Sequence, residues 1–278
     1  MAGTRRALLL GAGGVALAGP ARADEDLEIS GRLRQGGFAF GRTRPGAEVR
    51  LDGEAVTVAS PAGLFVVGFD RDAGAQTRLE VRAPGLQIAR ELRLTPGEFD
   101  VTRVSGLPQS TVTPSDPALL ARIRREAALK QAAFASHAPG DGFRDGFDWP
   151  LTGFRVSSRW GAQRVLNGTP ARPHYGIDLA APAGTAITAP ADGLVCLAEP
   201  DLHFEGGLTA IDHGQGLISL YLHQSRLDVR AGETVRRGRR IGAVGSSGRA
   251  TGPHLCWRLK WRDRALDPSL MVGVSAPA

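Results

Sequence analysis

Glycine and proline recur so often in this sequence that few segments can grow longer than a strand. There are 37 glycines and 18 prolines among 278 residues. The clear exception is Ala118 to Phe134, which follows Asp116-Pro117. An aspartate can cap a helix, and proline suits the first turn, where its missing N–H leaves no bond unmade. Leu119, Leu120, Ile123, Ala127 and Phe134 supply an apolar stripe at helical spacing, while Arg122, Arg124, Arg125 and Lys130 are expected to face solvent. The breakers from His137 to Gly142 then end this linker helix.

The rest reads as mainly β. Between about residues 28 and 105, turn signals at Gly36-Gly37, Pro45-Gly46 and Asp52-Gly53 separate short apolar or alternating runs, among them Phe38 to Phe40, Val56 to Val58, Leu64 to Phe69 and Ile88 to Leu94. This pattern predicts a small N-terminal β-sandwich-like domain. From Phe147 onward the strand candidates are Phe154 to Ser157, Thr185 to Thr188, Gly193 to Leu197, Leu208 to Asp212, Leu217 to Leu222, Arg239 to Val244 and His254 to Trp261. No long helix is expected there, so an antiparallel β-sheet domain follows. The predicted division is residues 1–23, 24–108, 109–146 and 147–278.

Residues 1–23 read as an export signal. Arg5-Arg6 precede a short apolar run from Ala7 to Ala18, and Ala21-Arg22-Ala23 offers a small-x-small cleavage site. The run is too short to remain as a membrane span, and the arginine pair also resembles a twin-arginine signal. The expected location is the periplasm, with no transmembrane segment in the mature form. The formal charge is +6, but basic residues are interleaved with acids and form no stripe, which argues against nucleic acid as a partner.

Five of six histidines fall after residue 147, while His137 lies in the linker and reads as a surface residue. His174 precedes Asp178 by four residues, in a segment with Pro173 before it and Gly176 within it, which can bend as a loop so that both side chains meet. Nitrogen and carboxylate donors make a sound partial set for Zn²⁺. On a strand, residues two apart share a face, so His254 and Cys256 are expected to project together, Tyr221 and His223 likewise, and Trp257 away from Cys256. His213 reads as a structural hydrogen-bonding residue and His203 as a surface or groove-rim residue, not a ligand; Trp149, Trp160, Trp257 and Trp261 read as packing. Tyr175 and Tyr221 are lesser candidates for packing or groove contacts, and Asn167 for the groove.

The ordered set is specific. His174-Tyr175-Gly176-Ile177-Asp178, Ala183-Gly184-Thr185, Ala189-Pro190-Ala191-Asp192-Gly193, Asp212-His213-Gly214, Tyr221-Leu222-His223, Gly245-Ser246-Ser247-Gly248, Thr251-Gly252-Pro253-His254-Leu255 and Asp267-Pro268 follow one another along residues 147–271. In this order they resemble the M23 family of zinc metallopeptidases, the lysostaphin/LytM-like peptidoglycan endopeptidases. The resemblance implies a LytM-like sheet domain, a Zn²⁺ cofactor, the peptide stems or cross-links of peptidoglycan as substrate, and His223 and His254 as catalytic residues.

One departure stands out. The family ends on His-x-His, whose second histidine binds zinc, and that position here is Cys256. The implied metal set is therefore His174, Asp178 and Cys256. Cysteine is a legitimate zinc ligand, and a thiolate adds negative charge that imidazole does not. Three readings stay open. Cys256 binds metal in an endopeptidase; Cys256 pairs with Cys196; or the domain is catalytically inactive and binds the wall or activates another wall hydrolase. The protein is expected to be a monomer, with a regulatory protein as a conceivable partner.

Overall fold

The computed structural model describes residues 26–106 and 114–278. The proposed export signal lies outside them. No helix of the described residues is long and apolar enough to cross a membrane.

The N-terminal region builds two antiparallel sheets. One holds β1 (Glu28–Arg32), β2 (Phe38–Arg42) and β5 (Leu64–Gly68); the other holds β3 (Glu48–Leu51), β4 (Glu54–Val58), β6 (Gln76–Ala83) and β7 (Leu86–Arg93) in the order β4-β3-β6-β7. The β3–β4 hairpin turns on Asp52 and Gly53, with φ of 50° and 85°. Two successive left-handed residues match the twist of the flanking strands, and Asx-Gly is the pair that adopts them most readily. Phe38, Phe40, Phe65, Val49, Leu79 and Val81 are fully buried and belong to one apolar cluster.

That cluster continues into the C-terminal region, where it takes in Phe143, Phe147, Leu179, Trp257 and Trp261. Phe40 stacks on Phe143 with ring centroids 5.3 Å apart. A backbone link adds to the packing: β8 (Val101–Val104) pairs in parallel with β10 (Gln163–Leu166), which also pairs with β11 (Thr169–Pro170).

Helix α1 (Pro117–Phe134) forms where expected. Asp116 Oδ1 accepts a hydrogen bond from the Leu119 N–H at 2.7 Å, and Pro117 opens the first turn. The face it turns inward keeps only part of the apolar stripe: Phe134 packs against a buried cluster of the main sheet. Ala127 is exposed, Leu119, Leu120 and Ile123 are half-buried, and the buried residues are Glu126 and Ala133. Glu126 accepts from Arg122 Nε at 2.6 Å and from the backbone N–H of His203 at 2.9 Å. Lys130, expected in solvent, pairs with Glu205 at 2.5 Å. A charged stripe at i, i+4 spacing docks this helix, because the surface it meets offers a buried carboxylate and a backbone donor.

The main sheet has ten strands, all paired antiparallel. Its continuous path is β17 (Thr234–Val235), β14 (Gly193–Leu202), β15 (Gly206–Asp212), β16 (Leu217–Leu227), β19 (His254–Trp261), β12 (Ile177–Ala180) and β9 (Arg155–Ser158). Off this path, β13 (Ala186–Thr188) pairs with β18 (Arg240–Val244), which joins β16, and β20 (Arg264–Leu266) pairs with β19. β12, β17 and β20 were not among the expected strands, and β12 matters most: Asp178 lies on it, not in a loop. The register sets Asp178 opposite Cys256, and Cys256 opposite Leu222.

One face of this sheet is structural. Trp257 points into the core against Phe147 and Trp149, away from Cys256, as strand alternation requires. His213, also on the core side, is 1% exposed; its Nδ1 donates to the Asp192 carbonyl at 2.7 Å and its Nε2 lies 2.7 Å from Ser219 Oγ, which in turn meets Tyr221 Oη. Burial lowers the His213 pKa to about 4. The unfolded chain takes up this proton near pH 6.5, while the folded chain refuses it down to about pH 4. Stability is therefore lost as pH falls between those values, by up to about 3 kcal/mol from this residue. Chemical denaturation across that window should show a flatter pH dependence in His213→Gln than in the parent; parallel curves would refute the assignment.

Candidate metal centre and groove

The opposite face carries the cluster. His174 comes from the segment before β12, Asp178 from β12 and Cys256 from β19. Their donor atoms all lie within 4.8 Å of one another, and all three residues are buried. His174 Nε2 stands 3.3 Å from Cys256 Sγ and 3.2 Å from Asp178 Oδ1. Ser158 on β9 meets His174 Nδ1 at 3.2 Å and so orients the ring. Gly176 permits this closeness, since a Cβ there would stand 2.8 Å from Cys256 Sγ. The glycine between His174 and Asp178 is thus a packing requirement of the cluster.

Asp178 Oδ1 is buried without a hydrogen-bond partner, although two histidine Nε2 atoms lie near it. An orphaned carboxylate oxygen of this kind is costly unless something else satisfies it. Burial raises the Asp178 pKa, but the His174 contact and the charges of His174, His254 and Arg164 outweigh it and hold the carboxyl at about 2. The ligand position is therefore ionised. Cys256 and Cys196 are both free, so they are not bridged. Burial pushes the Cys256 thiol up to about 12, against the opposing pull of Arg258, whose Nε lies 3.5 Å from the sulfur. One imidazole nitrogen, one carboxylate oxygen and one sulfur, with an unsatisfied oxygen among them, fit zinc well.

His223 and His254 flank this cluster, with ring centroids 4.8 Å apart. His254 Nε2 is 3.7 Å from Asp178 Oδ1. Each Nδ1 lies 2.8 Å from a backbone carbonyl, Ser247 for His223 and Gly252 for His254. A carbonyl can only accept, so in both rings Nδ1 carries a proton and Nε2 is the nitrogen left for the groove. Burial lowers the His223 pKa to about 4, which keeps that ring neutral.

His223 reaches this face by a local exception. Tyr221 and His223 were expected to share a side, yet Tyr221 is buried in the core opposite Trp257, while His223 lies in the groove. The His223 φ of 66° breaks the alternation. Its N–H bonds to Glu205 O at 2.8 Å, and Ser247 Oγ ties the next residue by accepting from Gly207 N–H and donating to Gln224 O. A left-handed non-glycine residue is uncommon, and such residues gather at functional sites. The turn Gly245 to Gly248 therefore acts as the scaffold of His223.

The groove encloses about 530 Å³. Besides the five residues above it is lined by Ser158, Arg155, Arg164, Arg249 and Arg258. Sequence reasoning missed these, since an arginine or serine carries no motif of its own. His203 does not enter the groove, and neither Asn167 nor Tyr175 lines it. Of the two roles offered for Tyr175 the structure shows packing, 6.1 Å from Trp160; Trp160, Trp257 and Trp261 are buried packing residues, and Trp149 packs on Phe154.

Comparison with known proteins places this geometry. The profile of peptidase family M23 matches residues 172–268. Peptidoglycan DD-endopeptidase ShyA of Vibrio cholerae is 36% identical over 128 residues, which is 45% of this chain and 30% of that protein. Peptidoglycan DD-endopeptidase ShyC of the same organism is 41% identical over 107 residues, 38% of this chain and 24% of that one. The match thus spans less than a third of these curated relatives. A crystal structure of a Pseudomonas aeruginosa protein described as an M23 peptidase agrees far more widely, with a TM-score of 0.67 and 32% identity over 87% of this chain and 96% of that one. A likeness that runs through both β regions, and not through one motif, settles the question of kinship: this chain belongs to peptidase family M23, with cysteine where its relatives carry a zinc-binding histidine.

Proposed function

We propose that the protein is a zinc-dependent endopeptidase that hydrolyses peptide bonds in bacterial peptidoglycan. The observation that carries this reading is the convergence of His174, Asp178 and Cys256 around an orphaned carboxylate oxygen, with His223 and His254 beside it. That ShyA and ShyC are peptidoglycan DD-endopeptidases supports the choice of substrate. In this reading His174, Asp178 and Cys256 hold the metal, and His223 and His254 are catalytic. Residues 1–23 are an export signal leading to the periplasm, 24–108 an N-terminal β domain, 109–146 a helical linker and 147–278 the peptidase domain.

The chemistry that zinc supplies when bound is polarisation of the scissile carbonyl and acidification of water. The chain's own residues do the rest. The Nε2 atoms of His223 and His254 face the groove and can take the proton of an attacking water, then return it to the leaving amine. A ring that has gained the proton also stabilises the negative charge that develops on the substrate oxygen. The carbonyls of Ser247 and Gly252 fix both tautomers, so no reorientation is needed during turnover.

The test is metal content together with digestion of purified peptidoglycan. About one zinc per chain and the release of new amino termini from cross-linked peptides are expected, both abolished by chelation and restored by zinc. A zinc-loaded protein that binds the wall but releases no amino termini would sink the enzymatic reading in favour of a binding or activating role.

A further inference from the structure

Cysteine in place of histidine at position 256 changes the charge of the centre. A carboxylate and two imidazoles leave one positive charge on Zn²⁺, whereas a carboxylate, an imidazole and a thiolate leave none. The two anionic donors also meet across neighbouring strands, since the register sets Asp178 opposite Cys256. A buried anion is costly unless a cation or a hydrogen-bond donor answers it. The chain supplies both two residues further along the same strand. Arg258 follows Cys256 on β19 with Trp257 between them, so strand alternation puts the sulfur and the guanidinium on one side, and both residues line the groove. The Nε–H of Arg258 donates to Cys256 Sγ at 3.5 Å. Nε belongs to the stem of the side chain, so its aim depends on where that stem lies. Gly176 makes room for it: a Cβ there would stand 2.8 Å from Cys256 Sγ, 2.9 Å from Arg258 Cγ and 3.3 Å from His174 Nε2. One glycine thus accommodates the sulfur, the imidazole and the arginine stem together.

We propose that Arg258 is a positioning residue of the metal centre, whose Nε–H···Sγ bond aims the Cys256 sulfur and offsets the charge that cysteine brings where imidazole would bring none. The inference rests on the reading of Cys256 as a metal ligand, and Arg258 acts through that sulfur. Groups that hydrogen-bond a ligand orient it and tune the metal, and their loss costs about 10- to 100-fold in metal affinity. A guanidinium keeps its charge throughout the working pH range, so the bond to sulfur is charge-assisted under all those conditions. An imidazole at position 256 would give Arg258 no anion to meet, which makes the cysteine and the arginine one unit on β19.

The experiment uses the full chain with two metals. Zinc affinity is measured by competition with a chelator, and Co²⁺ serves as a spectroscopic probe of the sulfur. The parent should show a thiolate-to-cobalt charge-transfer band. Arg258→Gln should move that band to lower energy, because the N–H bond stabilises the sulfur lone pair that supplies the electron. It should also weaken zinc binding by about tenfold or more. The same change made in the Cys256→His background should cost less than about twofold, since the anion it answers is gone. Arg258→Lys keeps the charge without the Nε–H; it should move the band likewise, recover part of the zinc affinity, and serve in place of Arg258→Gln if that variant does not fold. A band unmoved in both arginine variants overturns the proposal and leaves Cys256 a ligand. Equal loss of zinc affinity in the parental and Cys256→His backgrounds also overturns it and assigns the arginine to the fold. A parent that binds cobalt without the band overturns both this proposal and the metal role of Cys256.

Discussion

Cys256→Ser should lose zinc by more than about a hundredfold in affinity, with turnover falling in proportion. The sulfur is one of three donors, it is buried, and it lies 3.3 Å from His174 Nε2 and beside the orphaned Asp178 oxygen. A serine hydroxyl keeps the volume nearly unchanged but offers a far poorer ligand at neutral pH. Cys256→His is the informative partner variant. It restores a neutral imidazole at that position and should retain about one zinc per chain, because the strand register that aims residue 256 at Asp178 is untouched. Zinc measured after dialysis, with intact folding checked by thermal melting, decides the matter. If Cys256→Ser keeps its zinc at parental affinity, cysteine is not a ligand.

His254→Ala and His223→Ala form the second test, with an expected loss of about 10² to 10⁴ in kcat each. Zinc content should stay unchanged, since neither ring belongs to the donor triad. The two losses should not add: the rings stand 4.8 Å apart around one reacting centre, and residues acting as a unit give strongly non-additive effects. A rate within a few-fold of the parent in either variant would remove that histidine from the mechanism. Parallel loss of metal would instead make it a ligand.

Much of this site is legible along the chain because metal chemistry tolerates few residue types. The spacing of His174 and Asp178, the pair His254 and Cys256, and the alternation that turns Trp257 inward all follow from donor chemistry and the two-residue period of a strand. Asp116-Pro117 marks the start of the helix for an equally local reason. His223 is a harder case: the period that works for Trp257 fails four residues from the end of β16, where a left-handed residue turns the ring to the opposite face. That conformation is held by bonds to Glu205 and Ser247, which are distant along the chain.

What local chemistry dictates here is therefore the inventory: the donors, the β class, the helix cap, and the cysteine that replaces a histidine. Assembly belongs to the folded molecule. The pairing of β12 with β19, the docking of α1 through Glu126 and Lys130, and the lining of one groove by Arg164, Arg249 and Arg258 all join residues that are far apart in sequence. Such contacts depend on which strand lies beside which and in what register, and a hydrophobic pattern read one segment at a time holds no information about its neighbour across the sheet.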